Sequence, residues 1–196
     1  QRALARGRTP LLAWVMSARG FCLFDTPIGA CAIAWSEDAI AGVLLPEDDP
    51  AQTAPRMQRR FPQSPLTTPA PWVQAVIERV RDLLEGRGTD SLADVPLDMA
   101  AVPEFNRRVY EIARAIAPGQ TLSYGEVAQR LGDPGAARAV GQALGHNPFA
   151  PIVPCHRVLA AGKRSGGFSA GGGVATKLKM LQIERAQLGD GPGLFD

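Results

Sequence analysis

Four consecutive residues, Pro154-Cys155-His156-Arg157, join a nucleophile, a base and a fixed cation. They follow Pro151-Ile152-Val153, an apolar run bounded by prolines, and each proline disfavours helix in the residue before it. Cys155 is therefore expected to leave an extended, stiffened segment rather than a helix interior. The chemistry such a thiol offers is nucleophilic attack. A free thiol has a pKa of about 8.5 and is mostly protonated at neutral pH, so it needs a neighbouring base. His156 is one of only two histidines in the chain. Adjacent strand residues point to opposite faces, so the two cooperate only if the chain turns there or a water bridges them. The imidazole also needs a group to orient it, and Glu184 is a candidate. It ends a helical stretch, Thr176 to Ala186, with Met180 and Leu181 at i−4 and i−3, a face on which an unpaired carboxylate is costly. An exposed helix-end glutamate paired with Lys177 or Lys179 fits the same position.

The elements that must hold these groups divide into two halves. In the first, Phe21 to Thr26, Ala30 to Trp35 and Ala39 to Leu45 read as strands of an antiparallel meander, with turns at Thr26-Pro27-Ile28-Gly29 and Ser36-Glu37-Asp38. Pro46 to Pro71 reads mostly as loop, with a short helix near Arg56 to Phe61. Pro71 opens a helix with Trp72, Val73, Val76, Ile77, Val80, Leu83 and Leu84 on one face, stopped by Gly86 and Gly88. Val95 to Ala100 is a candidate last strand. The second half reads as helix and loop. Pro103 starts a helix that Pro118-Gly119 ends, and Ser123-Tyr124-Gly125-Glu126 matches a capping box opening a helix through Leu131. Asp133-Pro134 supplies an N-cap and a first-turn proline for a helix to about Leu144, whose core face is expected to be Ala137, Val140, Gly141 and Leu144. Two short helices around a tight turn make a helix-turn-helix pattern. Its second helix has small outer positions, Ala136, Ala139 and Ala143, and one charge, Arg138. That suits close approach to DNA without base readout, which takes several long polar side chains. A plain helical hairpin in a core is the alternative on spacing alone.

Bulk properties limit the function classes. The 196 residues, 45% hydrophobic and 20% charged, are those of a globular chain of one domain or two small ones. No run approaches a membrane span, and the basic start, Gln1 to Pro10, carries no secretory pattern and is set aside from the fold. Three cysteines do not make a paired set. Cys22 and Cys31 could pair across a hairpin with Cys155 left over, but a reducing cytosol is the simpler reading. No Cys-x-x-Cys is present, and both histidines lie far from Cys22 and Cys31, so no metal site is expected. Residues 1–99 carry 10 Lys/Arg against 12 Asp/Glu, and residues 100–196 carry 11 against 7. The basic second half fits a polyanionic partner and equally a solvated surface.

Taken in order, Arg138-Ala139-Val140-Gly141, Asn147-Pro148, Pro154-Cys155-His156-Arg157-Val158, Gly167-Phe168-Ser169 and Glu184 resemble the O6-alkylguanine-DNA alkyltransferase family, the methylated-DNA–protein-cysteine methyltransferases. The match spans roughly residues 103–186, and the first half matches only weakly. The resemblance implies a small ribonuclease-H-like α/β domain over 1–95, a mostly helical, winged-helix-like DNA-binding and alkyl-transfer domain over 96–186, and a flexible tail over 187–196. It implies single-turnover transfer of an alkyl group from guanine O6 to Cys155, with a water linking Cys155 to His156 and Glu184 orienting the imidazole. Tyr124 and Arg138 take the places of the family's DNA-handling pair: the tyrosine helps rotate the nucleotide out and contacts the flipped base, and the arginine fills the vacated stack. Extrusion is physically required, because O6 of a stacked guanine is out of a buried thiol's reach. Asn147-Pro148 matches the hinge between the helix-turn-helix and the active-site loop. Phe168, Ser169 and the backbone around Val158 match the guanine pocket, while Ala136, Ala137 and Gly141 lie on the helix expected to enter the minor groove. The implied partner is double-stranded DNA bound by a cytoplasmic monomer, with no cofactor, metal or membrane. The loop Ala170-Gly171-Gly172-Gly173 is longer and richer in glycine than the shortest family versions, which leaves the tolerated alkyl size open. Two alternatives remain: a lesion-binding relative without repair activity, although such proteins lack the cysteine, and a cysteine hydrolase, for which no oxyanion site is apparent.

Overall fold

The three alternating runs of the first half form an antiparallel sheet in sequence order: β1 (Gly20–Thr26), β2 (Gly29–Trp35) and β3 (Ile40–Leu44). They belong to a computed structural model that describes residues 18–170 and 172–188. Residues 189–196 of the expected tail, the apolar run before Ala18 and Gly171 lie outside the described residues. At the β1–β2 turn Thr26 Oγ1 donates to the Gly29 carbonyl at 2.7 Å, and Gly29 takes φ 125°, a region that favours glycine. Cys31 to Trp35 of β2 are all buried, because helices cover both faces of the sheet. On one face α1 (Thr53–Arg60) sets Met57, with the following Phe61, against Phe21, Ala32, Ala34 and Ala41. On the other α2 (Pro71–Leu84) buries Val73, Val76, Ile77, Val80, Leu83 and Leu84, as its spacing predicts. Residues 95–100 do not form the expected strand. Only Leu97 bridges Ile40, where the Ile40 N–H donates to Pro96 O and the Asp98 N–H to Ile40 O; Pro96 has no N–H with which to extend the ladder.

The second half runs α3 (Glu104–Arg114), β4 (Leu122–Ser123), α4 (Tyr124–Arg130), α5 (Ala137–Gly145), β5 (Val158–Leu159) and α6 (Gly173–Ile183). The capping box forms: Ser123 Oγ accepts from the Glu126 N–H at 3.0 Å, and Glu126 accepts from the Ser123 N–H at 2.6 Å. Two expectations change. The half is not purely helix and loop, since β4 and β5 pair in parallel, Leu122 with Val158 and Ser123 with Leu159. Two-residue strands are too short to leave an alternation in the sequence. Asp133 makes no side-chain cap, and Pro134 opens a short 3-10 turn that precedes α5. One hydrophobic cluster runs from the sheet and α2 through Leu92 and Val95 into α3, α4, α5 and Met180 of α6. The sheet also grips the second half by its backbone. The Val43 N–H donates to Pro148 O at 2.9 Å, and Arg60 donates to both Pro148 O at 2.9 Å and Val43 O at 3.2 Å.

Candidate active site

The loop from α5 to β5 is folded back on itself by Asn147. Its Nδ2 donates to Val153 O at 2.8 Å, and its Oδ1 accepts from the Phe149 N–H at 2.9 Å. Together with the two donors on Pro148 O, this fixes the residues on both sides of the apolar run. The apolar lead-in, residues 151–153, is turn and bend rather than the expected extended segment, and Cys155 then opens a 3-10 turn over Cys155–Arg157. The turn meets one of the two conditions for Cys155 and His156 to work together, because consecutive side chains no longer point to opposite faces. Cys155 is buried. Burial pushes its thiol pKa up, while Asn147 and the charge of Lys177 pull it back.

His156 is buried and donates through Nε2 to Glu184 Oε1 at 2.7 Å. Glu184 caps α6, with its side chain only 3% exposed, so the exposed ion pair with Lys177 or Lys179 does not form. Burial alone would raise the Glu184 pKa, but His156 and Arg157 hold it down at about 2. Arg157 makes a two-pronged contact, Nε to Oε2 at 2.9 Å and Nη2 to Oε1 at 2.8 Å, and its Nη1 donates to Ile116 O at 2.7 Å. The carboxylate is thus ionised and already neutralised by a guanidinium. That leaves His156 uncharged: burial lowers its pKa more than Glu184 raises it. With the proton on Nε2, the Nδ1 lone pair is the basic one, and Nδ1 is buried with no hydrogen-bond partner among the described residues. The motif's arginine, read from sequence only as a fixed cation, is what allows Glu184 to be buried as an anion.

Lys177 went unrecognised in the sequence as part of the site. It is 1% exposed, donates through Nζ to Val158 O at 2.7 Å and Gly167 O at 3.4 Å, and lies 5.7 Å over the Tyr124 ring. No carboxylate neutralises it among the described ion pairs, and burial brings its pKa down to about 8 despite the attraction of Cys155. The signal was present: Lys177 sits seven residues before Glu184, on the same face of α6.

In front of Cys155 opens a cavity of about 560 Å³ whose walls include Tyr124, Ala137, Arg138, Gly141, Phe168 and Ser169. Tyr124 is the first residue of α4, and its phenol pKa is raised by burial and by Cys155. Gly166, at φ 67°, passes so close that a Cβ there would lie 2.8 Å from the Tyr124 hydroxyl. Arg138 is exposed on α5, and Ser169 Oγ ties the glycine-rich loop to Gly145 O at 2.7 Å. The expected faces of α5 need correction. Ala136 and Ala143 are buried, not outward; Ala137 packs against the core as expected but also borders the cavity, and so does Gly141. The 3-10 turn at residues 134–136 rotates the helix relative to a register counted from Pro134. Ala136 therefore does not line the cavity. Val158 is fully buried and reaches the site through its carbonyl, which Lys177 holds. Pro148 lines a second cavity, also bordered by Cys155. Among the described residues no group of three or more His, Cys, Asp or Glu is placed to hold a metal ion.

Residues 104–186 match the family model described as the 6-O-methylguanine DNA methyltransferase, DNA binding domain. A methylated-DNA–protein-cysteine methyltransferase of Mycolicibacterium paratuberculosis is 35% identical over 172 residues, covering 88% of this chain and 96% of the relative. The bifunctional transcriptional activator/DNA repair enzyme Ada of Escherichia coli is 33% identical over 164 residues, 84% of this chain and 45% of Ada. Among solved structures, Mycobacterium tuberculosis OGT in complex with DNA superposes with a TM-score of 0.67 at 33% identity, covering 85% of this chain and 92% of that one.

Proposed function

The chain belongs to the methylated-DNA–protein-cysteine methyltransferase family, and from that premise we propose how its own residues repair DNA by direct alkyl transfer. Cys155 is the acceptor. The substrate is O6-alkylguanine in double-stranded DNA, approached from the minor groove by α5, whose cavity-facing side offers small Ala137 and Gly141 beside Arg138 and Gln142. The lesion nucleotide rotates out into the cavity behind Tyr124, which contacts the extruded base, and Arg138 occupies the gap left in the stack. The unstacking costs a few kcal/mol, which the phosphate and stacking contacts must supply.

The thiol proton leaves Cys155 toward Nδ1 of His156, directly or through a water. The sulfur attacks the alkyl carbon in line with O6, so that the S–C bond forms as the C–O6 bond breaks. The departing electrons restore the guanine lactam, and the proton lost from the thiol is recovered at guanine N1. Ionised Glu184 keeps the proton of His156 on Nε2, and Arg157 holds Glu184. Lys177 favours the thiolate electrostatically and fixes the Val158 carbonyl at the edge of the pocket. The product is a thioether that no group here can hydrolyse, so each molecule acts once.

The observation that carries this reading is Nδ1 of a neutral, carboxylate-held histidine left without a partner beside a buried thiol that borders an open cavity. The finer features of the fold and setting belong to the same proposal: a ribonuclease-H-like domain over 1–95, a winged-helix-like domain over 96–186, and a cytoplasmic monomer. No described helix is long and apolar enough to cross a membrane. A duplex carrying labelled O6-methylguanine tests the proposal. Transfer should plateau at one label per protein molecule, and Cys155→Ala should accept none while still binding the duplex. Label uptake by Cys155→Ala would overturn it.

A further inference from the structure

Arg60, in the last turn of α1, is partly buried and spends its guanidinium on two carbonyls. Nη1 donates to Val43 O at 3.2 Å and Nη2 to Pro148 O at 2.9 Å. The group lies 5.3 Å over the Phe61 ring. β3 leaves it a slot because residue 42 is glycine: a Cβ there would lie 2.7 Å from Nη2 and 3.0 Å from the Phe61 ring. No carboxylate pairs with Arg60 among the described ion pairs. Burial and the charge of Arg56 bring its pKa down to about 10, so it still carries its charge at neutral pH. A guanidinium so placed without a counter-ion costs stability, and Met57 and Phe61 already pack α1 against the sheet. What the arginine adds is a pair of donors that ties β3 to a residue 88 positions away, at the entrance of the active-site loop.

Pro148 O also takes the Val43 N–H at 2.9 Å. The residue before Pro148 is Asn147, whose amide closes the loop on Val153 O and the Phe149 N–H. Asn147 also forms a hydrogen bond with the Cys155 thiol that favours the thiolate. A shift of Pro148 therefore moves a group that sets the state of the sulfur. The groups that face Cys155 are Lys177 of α6, Tyr124 of α4, Tyr110 of α3 and the adjacent His156, and Lys177 is the one whose charge pulls the thiol pKa down. Arg56 and Arg60 line a cavity of about 330 Å³ that Cys155 also borders, yet neither acts on the thiol by its charge. We propose that Arg60 is a positioning residue for the alkyl transfer: it holds Pro148 O, and through it Asn147, in the place from which Asn147 serves the Cys155 sulfur. The first half of the chain thereby sets the reactivity of a nucleophile carried by the second. The inference rests on the alkyl-transfer reading above and extends it to a residue outside the matched span 104–186.

Iodoacetamide reads the thiol without DNA: the S–C bond forms, the C–I bond breaks and iodide leaves. The test follows alkylation of the Cys155 peptide against pH by mass spectrometry, with the urea midpoint and methyl transfer from a saturating O6-methylguanine duplex measured beside it. Arg60→Met removes both donors. Gly42→Ala keeps the arginine and its charge but fills the slot, so the flexible end of Arg60 must move off Pro148. Both should shift the rate–pH curve to higher pH and lower the alkylation rate at neutral pH by about threefold to tenfold, up to the scale of one hydrogen bond to a charged group. Methyl transfer should fall by a similar factor with duplex affinity unchanged. Arg60→Lys, which keeps the charge but not the fork, should fall between wild type and Arg60→Met. Arg56→Gln takes a charge from the same cavity wall without touching Pro148 and should leave the curve in place. A curve that stays at the wild-type position in both Arg60→Met and Gly42→Ala, whatever the urea midpoint does, overturns the inference. An equal shift in Arg56→Gln overturns it too, because cavity charge rather than the hinge would then be at work. If Arg60→Met does not refold, Gly42→Ala and Arg60→Lys carry the same comparison. Wild-type protein that takes no methyl from the duplex while the alkylation curves shift as expected overturns the alkyl-transfer reading instead.

Discussion

At the scale of single residues, the site is a chain of charges in which each group sets the state of the next. Arg157 neutralises Glu184, ionised Glu184 fixes the His156 tautomer, and neutral His156 keeps a buried Nδ1 without a partner among the described residues. Glu184→Gln leaves Arg157 buried without its counter-ion, so it should cost about 3–5 kcal/mol of stability, read from urea unfolding at pH 7, and slow methyl transfer at least tenfold. Lys177 predicts the opposite sign for stability. A buried ammonium without a carboxylate is expensive, and the hydrogen bond it returns to Val158 O is worth about 1–3 kcal/mol. Lys177→Met should therefore leave stability equal or raised by about 1 kcal/mol while slowing both methyl transfer and iodoacetamide alkylation of Cys155. Loss of both stability and rate would assign Lys177 to packing alone. Cys155, His156 and Glu184 were legible because their types and order are those of a nucleophile, a base and an orienting acid. The role of Arg157 and the burial of Lys177 were not, since a cation's partner on another element leaves no local pattern.

At the scale of elements, short 3-10 turns and glycines decide what faces the cavity. The turn at residues 155–157 takes consecutive side chains off opposite faces, and the one at 134–136 sets the phase of α5. Counting 3.6-residue spacing from Pro134 misplaces Ala136, because a 3-10 segment advances about 120° per residue where an α-helix advances about 100°. Long helices were read correctly for the converse reason: in α2 six buried positions average out any error at the ends. Gly166 offers a direct test at this scale. Gly166→Ala places a methyl against the Tyr124 hydroxyl at a φ that L-residues avoid, so it should displace the ring. Transfer from a lesion in duplex DNA should fall by about tenfold or more, and transfer from the free O6-alkylguanine base, which needs no extrusion, should fall much less. Equal losses on both substrates would remove Tyr124 from the extrusion step.

At the scale of the whole molecule, the two halves share one hydrophobic cluster, and the sheet holds the active-site loop through Pro148 O. Sequence patterns gave no sign of this grip, because Val43, Arg60 and Pro148 are far apart in the chain. The shared core predicts a single unfolding transition, seen at one urea midpoint by both backbone circular dichroism and Cys155 accessibility; two midpoints would mean the halves are independent. Acid should destabilise the fold in two stages. His156 has a folded pKa below 6.5, so the unfolded chain takes up a proton first and stability declines as pH falls below about 6.5. Glu184 has a folded pKa of about 2 against about 4.3 when unfolded, so its contribution is complete above 4.3 and is lost as pH falls toward 2. The urea midpoint should follow both limbs, and Glu184→Gln should flatten the lower one. The central claim is that Cys155 itself becomes the permanent acceptor of the alkyl group. Incubation with excess O6-methylguanine duplex, followed by intact and peptide mass spectrometry, measures it most directly. The account predicts one added methyl per molecule, on the peptide containing Cys155, with restored guanine in the duplex. Methyl on any other residue, or lesion consumed beyond one equivalent with Cys155 unmodified, would contradict it.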